Sequence, residues 1–264
     1  MGAYGFSEIE VVQFFASLVR VSFLFMLLPI FGDNTVPPVV RIFLAFTINL
    51  VVFPVAAAGA GSAAVAAAAS TDLGLASLAF REAGVGLVMG FTAKMFFEGL
   101  AFAFGHLGTQ MGFNMASVYD HQTENSVPVV SQMIMILATL LFLAANGHHL
   151  FLKALVQSYE AVPLGGFTLS KAILAHVLET SSQVFWIAVK LSAPMALMIF
   201  LVNCAFGIVS KAVPQINVLV VSFTVNILVG FVVILLTLPV LGTSVGEVFE
   251  AMMVRMNDLM AMLA

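Results

Sequence analysis

Apolar runs of helical length, separated by short breaks rich in glycine, proline and polar residues, set the pattern of this chain. The first run extends from Ile9 to Phe31, and a helix that crosses a bilayer needs about 20 such residues. Glu10, Gln13, Ser17 and Arg20 recur within it at helical spacing and so share one face, leaving Phe, Leu and Val on the others. Arg20 near mid-span would cost roughly 2.5 to 3.5 kcal/mol against lipid on insertion scales, so the stripe is expected to face protein or water. The stretch from Pro29 to Pro38 ends the run with turn residues and supplies prolines suited to a new first turn, a rigid corner. The second run, Val39 to Ala58, has Arg41 near its start, Asn49 inside and Pro54 near its end. From Ala56 to Ser70 alanine and glycine take over, and the tract reads as a small-residue packing surface or, by preference, a linker.

Leu73 to Phe104 is long for one span and carries Arg81, Glu82, Lys94 and Glu98 along with Gly84, Gly86 and Gly90. Gly86 and Gly90 form a small-xxx-small pair that admits a second helix closely. Lys94 and Glu98 lie one turn apart and can neutralise each other, so both a buried charge cluster and an ion path fit this segment. A polar interruption from Gly105 to Val127 follows, mixing glycines, Met111, Phe113 and Met115 with amides and two histidines. Irregular backbone between membrane helices is tolerated only under protein cover or beside a water path, which makes this stretch a candidate plug or gate.

Pro128 opens a helix to Ala145, and Asn146-Gly-His-His149 closes it with a turn. The adjacent histidines point to different faces and lack acidic or cysteine ligands at suitable spacing, so no metal is expected there. His149 to Tyr159 is a short helix stopped by Pro163-Leu-Gly-Gly166. Ser170 opens a helix that turns strongly apolar after Glu179, carries Lys190, and should kink or break at Pro194. Asn203, Gly207 and Ser210 share a face; after the turn from Lys211 to Asn217 the next span repeats the device with Ser222, Asn226 and Gly230, so the two form a helical hairpin. Beyond Leu241, Val245, Val248, Met252, Met256, Leu259 and Leu263 mark an amphipathic tail opposite Glu247, Glu250 and Asp258. An acidic face avoids anionic lipid, so the tail reads as a protein-docking helix.

Composition narrows the class. Hydrophobic residues make up 62% of the chain and charged ones 8%, which points to an all-α integral membrane-class protein and away from a soluble domain. A net charge of -4 with nine basic residues excludes a clustered phosphate-binding surface, hence nucleic acid. Cys204 is the single cysteine, which excludes an internal disulfide and leaves it as an expected small buried hydrophobe. The start of the chain has no basic leader or small-residue cleavage site, and no cleavage is expected. Most basic residues lie within or at the edges of apolar segments, so the positive-inside rule assigns no orientation. Internal charges and small-residue faces together suggest helices covered by other subunits. No H-E-x-x-H or G-x-S-x-G motif is present, and neither catalysis nor a cofactor is expected.

Five fragments, in order, carry a family resemblance: Leu28-Pro-Ile-Phe-Gly-Asp33 with Val36-Pro-Pro-Val-Val-Arg-Ile42, Arg81-Glu-Ala83, Gln110-Met-Gly-Phe-Asn-Met-Ala116, Leu141-Phe-Leu-Ala-Ala-Asn-Gly-His-His149, and Val213-Pro-Gln-Ile-Asn217. Together they resemble the FliR proteins of the flagellar type III export apparatus and their injectisome equivalents. The resemblance implies a subunit of the export gate in the bacterial inner membrane, at the flagellar basal body. There it would complete a hetero-oligomeric helical ring with FliP-like and FliQ-like subunits, alongside FlhB-like and FlhA-like components, and pass unfolded polypeptide. It further implies a FliP-like part over residues 1–178 and a FliQ-like hairpin with an amphipathic helix over 179–264. The family's plug loop carries over onto Gly108, Gln110, Met111, Gly112, Phe113, Asn114 and Met115. Arg20, Arg41, Arg81, Glu82, Lys94, Glu98 and Lys190 are then charges at subunit contacts, and Gly86, Gly90, Asn203, Gly207, Asn226 and Gly230 helix-packing positions. The alternative is a secondary transporter or ion channel with Arg20, Lys94, Glu98 and Lys190 lining a coupling path.

Overall fold

The structure is a computed structural model that describes residues 7–28, 36–58, 62–112, 129–213, 215 and 217–263. Every regular element among them is a helix: α1 (Glu8–Leu27), α2 (Pro38–Ala58), α3 (Ser62–Ala69), α4 (Asp72–Gln110), α5 (Val129–Ala144), α6 (Gly147–Ala161), α7 (Lys171–Ala212) and α8 (Val218–Leu263). Helices α1, α2, α4 and α7 are each long and apolar enough to cross a membrane.

Local chemistry starts these helices where it should. Ser7 caps α1 by accepting the Glu10 N–H at 3.2 Å while the Glu10 carboxylate accepts the Ser7 N–H at 2.7 Å, a reciprocal capping box. Proline occupies the first position of α2, where a missing N–H is harmless. Thr71 and Ser170 offer side-chain oxygens to the first turns of α4 and α7, to the Gly74 N–H at 3.1 Å and the Ile173 N–H at 3.2 Å. Between α5 and α6, Asn146 adopts a left-handed backbone with φ 57°, a conformation asparagine tolerates, and the helical ladder stops there.

The chain folds into two compact units that interleave along the sequence. The first comprises residues 1–97, 146–182 and 250–264, the second residues 98–145 and 183–249. The division at 178/179, which rests on the resemblance, is a different partition. In the first unit α1 buries Gln13, Ser17, Arg20, Val21 and Leu24 and packs on α2, where Phe14 meets Phe46 and Phe53 edge to face at 5.6 and 5.3 Å between centroids. Asn49 of α2 is buried and donates to the Phe14 carbonyl at 3.2 Å. The last turns of α8 bury Met252, Met256 and Leu259 within this same unit.

Five expectations change. The Ala-Gly tract is no linker over its second half: Ser62–Ala69 is helical, with Val65 fully buried, because alanine is also the best helix former. The polar interruption does not begin at Gly105, since α4 continues to Gln110, its hydroxyl and amide groups satisfied locally, as where Thr109 donates to the Gly105 carbonyl at 2.9 Å. Helix α7 runs unbroken through Pro194 and α8 through Pro239, each proline removing one N–H from a ladder whose other bonds remain. The acidic-faced tail is therefore the end of α8, and Met252, Met256 and Leu259 dock on the chain's own first unit. Cys204 is exposed, on a stretch of α7 whose neighbours Phe200, Leu201 and Ile208 are exposed as well.

Candidate functional site

The first unit is organised by Arg20, which is wholly buried at the centre of α1. A buried guanidinium has five N–H donors to satisfy and pairs best in a fixed fork. Here Nε donates to the Glu82 carboxylate of α4 at 2.7 Å, one terminal nitrogen to the carbonyl and hydroxyl of Ser158 at 2.9 and 3.1 Å, and the other to the Val162 carbonyl at 3.0 Å. The cation also lies 4.3 Å from the centre of the Tyr159 ring, whose hydroxyl donates to the Ser17 carbonyl at 3.2 Å. The second Glu82 oxygen accepts the Gly165 N–H at 2.8 Å, and Arg81 donates to the Gly165 carbonyl at 2.8 Å. Adjacent residues of α4 thus grip both backbone polar groups of one residue in the segment after α6. Gly165 itself has φ 78°, so glycine is needed there.

Gly86 and Gly90 place α4 against α1. A Cβ at Gly86 would lie 2.4 Å from the Arg20 carbonyl oxygen, and one at Gly90 would lie 2.8 Å from the Leu27 Cβ. Among the other charges, Arg41 donates to the Val36 carbonyl at 2.9 Å, Lys94 is half-buried, and Glu98 and Lys190 are exposed. Glu179 at the start of α7 meets Arg255 of α8 at 2.9 Å near the surface. Among the described residues no group of three histidine, cysteine or acidic side chains is placed to hold a metal.

The second unit holds the described part of the expected plug. Gly108 is buried on the last turns of α4, and Gln110 Nε2 lies 2.6 Å from His106 Nε2. Helix α4 then stops: the Gly112 N–H returns to the Thr109 carbonyl at 3.1 Å, and Gly112 takes φ 88°. Met111 is fully buried with its side chain against Gly230 of α8, and Gly112 faces Phe223 one face-repeat earlier on that helix. Asn226 lies between these contacts and donates to the Asn203 side chain of α7 at 2.9 Å, joining the two arms of the hairpin. Gly207, on the same α7 face as Asn203, has open space around it within the chain. Phe113, Asn114 and Met115 lie outside the described residues.

Sequence reasoning missed the partners of Arg20, because Ser158, Tyr159 and Val162 carry no motif of their own; the run Pro163-Leu-Gly-Gly166 was the one signal of a specially shaped segment nearby. It also missed Phe223, an apolar residue in an apolar run.

Comparison with known proteins covers nearly the whole chain. Residues 11–252 match the family model for bacterial export proteins, family 1. The flagellar biosynthetic protein FliR of Bacillus subtilis is 32% identical over 94% of this chain and 95% of its own length. The protein of the same name from Escherichia coli is 26% identical over 94% and 92%, and that of Aquifex aeolicus 23% over 87% and 86%.

Proposed function

The chain belongs to bacterial export protein family 1, and from that membership we propose that it is a FliR-type subunit of the flagellar protein-export gate in the bacterial inner membrane. The observation that carries this reading is the match to a flagellar biosynthetic relative at 32% identity over 94% of the chain. In this reading the chain completes a helical ring with FliP-like and FliQ-like subunits, contacts FlhB-like and FlhA-like components, and borders the pore that unfolded flagellar proteins traverse. The exposed apolar faces support cover by lipid and partners: Phe43, Phe80, Phe185, Trp186 and Phe200 are all exposed on helices of membrane length. Arg20, by contrast, has every guanidinium nitrogen engaged, which removes it from the polar path that a transporter would require.

The segment from Gly108 to Met115 is the plug in this proposal. Its apolar members close a narrow pore by excluding water and deform around varied polypeptide, as flexible thioethers allow. Two measurements test the reading. The complex extracted in mild detergent should be far heavier than one chain and contain two small apolar partners. Deletion of residues 108–115 in that complex should raise small-ion leak; unchanged conductance with normal assembly would refute the plug, and a lone monomer moving solute in liposomes would refute the gate.

A further inference from the structure

We propose that Met111 and Gly112 are the clamped stem of the plug and not part of its seal, with Gly230 as the socket and Met111 as the positioning residue; this rests on the plug reading above. Met111 is the first residue past the end of α4, and its exposure is 0%. A Cβ added at Gly230 would lie 2.5 Å from its Cγ, 2.6 Å from its Cε and 2.9 Å from its Sδ, so the whole thioether occupies the space that a side chain on α8 would need. An unbranched, flexible side chain is suited to lie along such a bare strip of helix. The next residue reinforces the contact: a Cβ at Gly112 would come 2.9 Å from Phe223 Cδ1, and φ 88° excludes most other residues. Phe223 and Gly230 lie two helical turns apart on one face of α8, so successive residues of the α4 terminus seat on one continuous strip. The buried Asn226, bonded to Asn203, ties that strip to α7. The chain that continues past Gly112 therefore departs from a point fixed to the hairpin.

The assignment separates two methionines that look alike in the sequence. Met111 packs, and its volume must match the socket. In the assembled complex, Gly230→Val should expel Met111 and raise small-ion leak several-fold at unchanged subunit composition. Met111→Ala should leak as well, by emptying the socket. Combining Gly230→Val with Met111→Ala should return the leak below either single variant, because the valine fills the space that the thioether vacates. Deletion of 108–115 separates the two readings. If it is silent, the plug reading fails and takes the stem with it. If it leaks while Gly230→Val and Met111→Ala are silent, or if their effects merely add, the stem assignment alone is overturned. Should Gly230→Val fail to assemble, a Met111→Cys, Gly230→Cys pair in a Cys204→Ser background decides the matter. Crosslinking under mild oxidation with the leak kept low supports the stem, and no crosslink in an assembled complex overturns it.

Discussion

Replacing Arg20 by alanine should unfold the first unit. The guanidinium contributes three separate sets of bonds, to Glu82, Ser158 and Val162, at a site with no solvent exposure. Removing one partner of a buried ion pair costs about 3 to 5 kcal/mol, because the other charge stays buried without compensation. Glu82 would keep only the Gly165 N–H. The Ser158 carbonyl retains the Val162 N–H at 2.9 Å, but the Val162 carbonyl loses the Arg20 donor, at about 1 to 3 kcal/mol for a buried acceptor. The sum, roughly 4 to 8 kcal/mol, is comparable with the whole stability of an ordinary domain. Arg20→Lys should fall between, since an ammonium keeps the charge but cannot reach three partners as a planar fork. Arg20→Met with Glu82→Met should recover much of the loss, because both buried charges go together. The assay is thermal unfolding in detergent followed by helical circular dichroism, with the yield of membrane-inserted protein alongside. An Arg20→Ala protein within about 1 kcal/mol of the parent, or a double variant no better than the single, would refute the argument that the cost comes from leaving one buried charge without its partner.

Other outcomes follow from single positions. Gly86→Ala should cost about 1 to 3 kcal/mol, read as a lower melting temperature, because its Cβ meets the Arg20 backbone and not a movable side chain. Gly207→Ala, with open space around it, should leave the isolated chain at least as stable; a loss of complex yield without a loss of chain stability would locate a partner at that face. Arg255→Gln should leave the melting temperature within measurement error, since its partner Glu179 is mostly exposed and such pairs contribute little. Cys204 should react rapidly with a small maleimide in the detergent-purified chain and slowly in the assembled gate; equal rates would place this part of α7 outside the subunit contacts.

The polar stripe of α1 was legible because helical periodicity alone puts Gln13, Ser17 and Arg20 on one face, and an arginine in an apolar helix demands a partner. Which partner was not legible: Glu82 lies 62 positions away and Ser158 138, and nothing local distinguishes Glu82 from Glu98. Likewise the close approach of α4 could be read from Gly86 and Gly90, whereas the identity of the helix approaching them could not. Alanine misled at Ser62–Ala69 because one composition serves a linker and a helix equally, and buried Val65 decided it through tertiary contact. Pro194 does not break α7, because a long apolar helix outweighs one missing donor. At the candidate site the sequence singles out the polar stretch from Gly105 to Val127 by composition, and burial sets Met111 apart within its described part, which composition could not do.

The Arg20 network also has a history in time. Ribosomes add about 5 to 20 residues per second, so Glu82 is made about 3 to 12 s after Arg20 and Ser158 about 7 to 28 s after it. Throughout that interval a charge destined for the interior belongs to an unfinished helix, and the α1 insertion step must be followed by a wait for chain not yet translated. The arginine that fixes the finished unit is, during synthesis, a timer: α1 reaches its final environment only after the segment ending at Val162 and Gly165 has arrived to receive it.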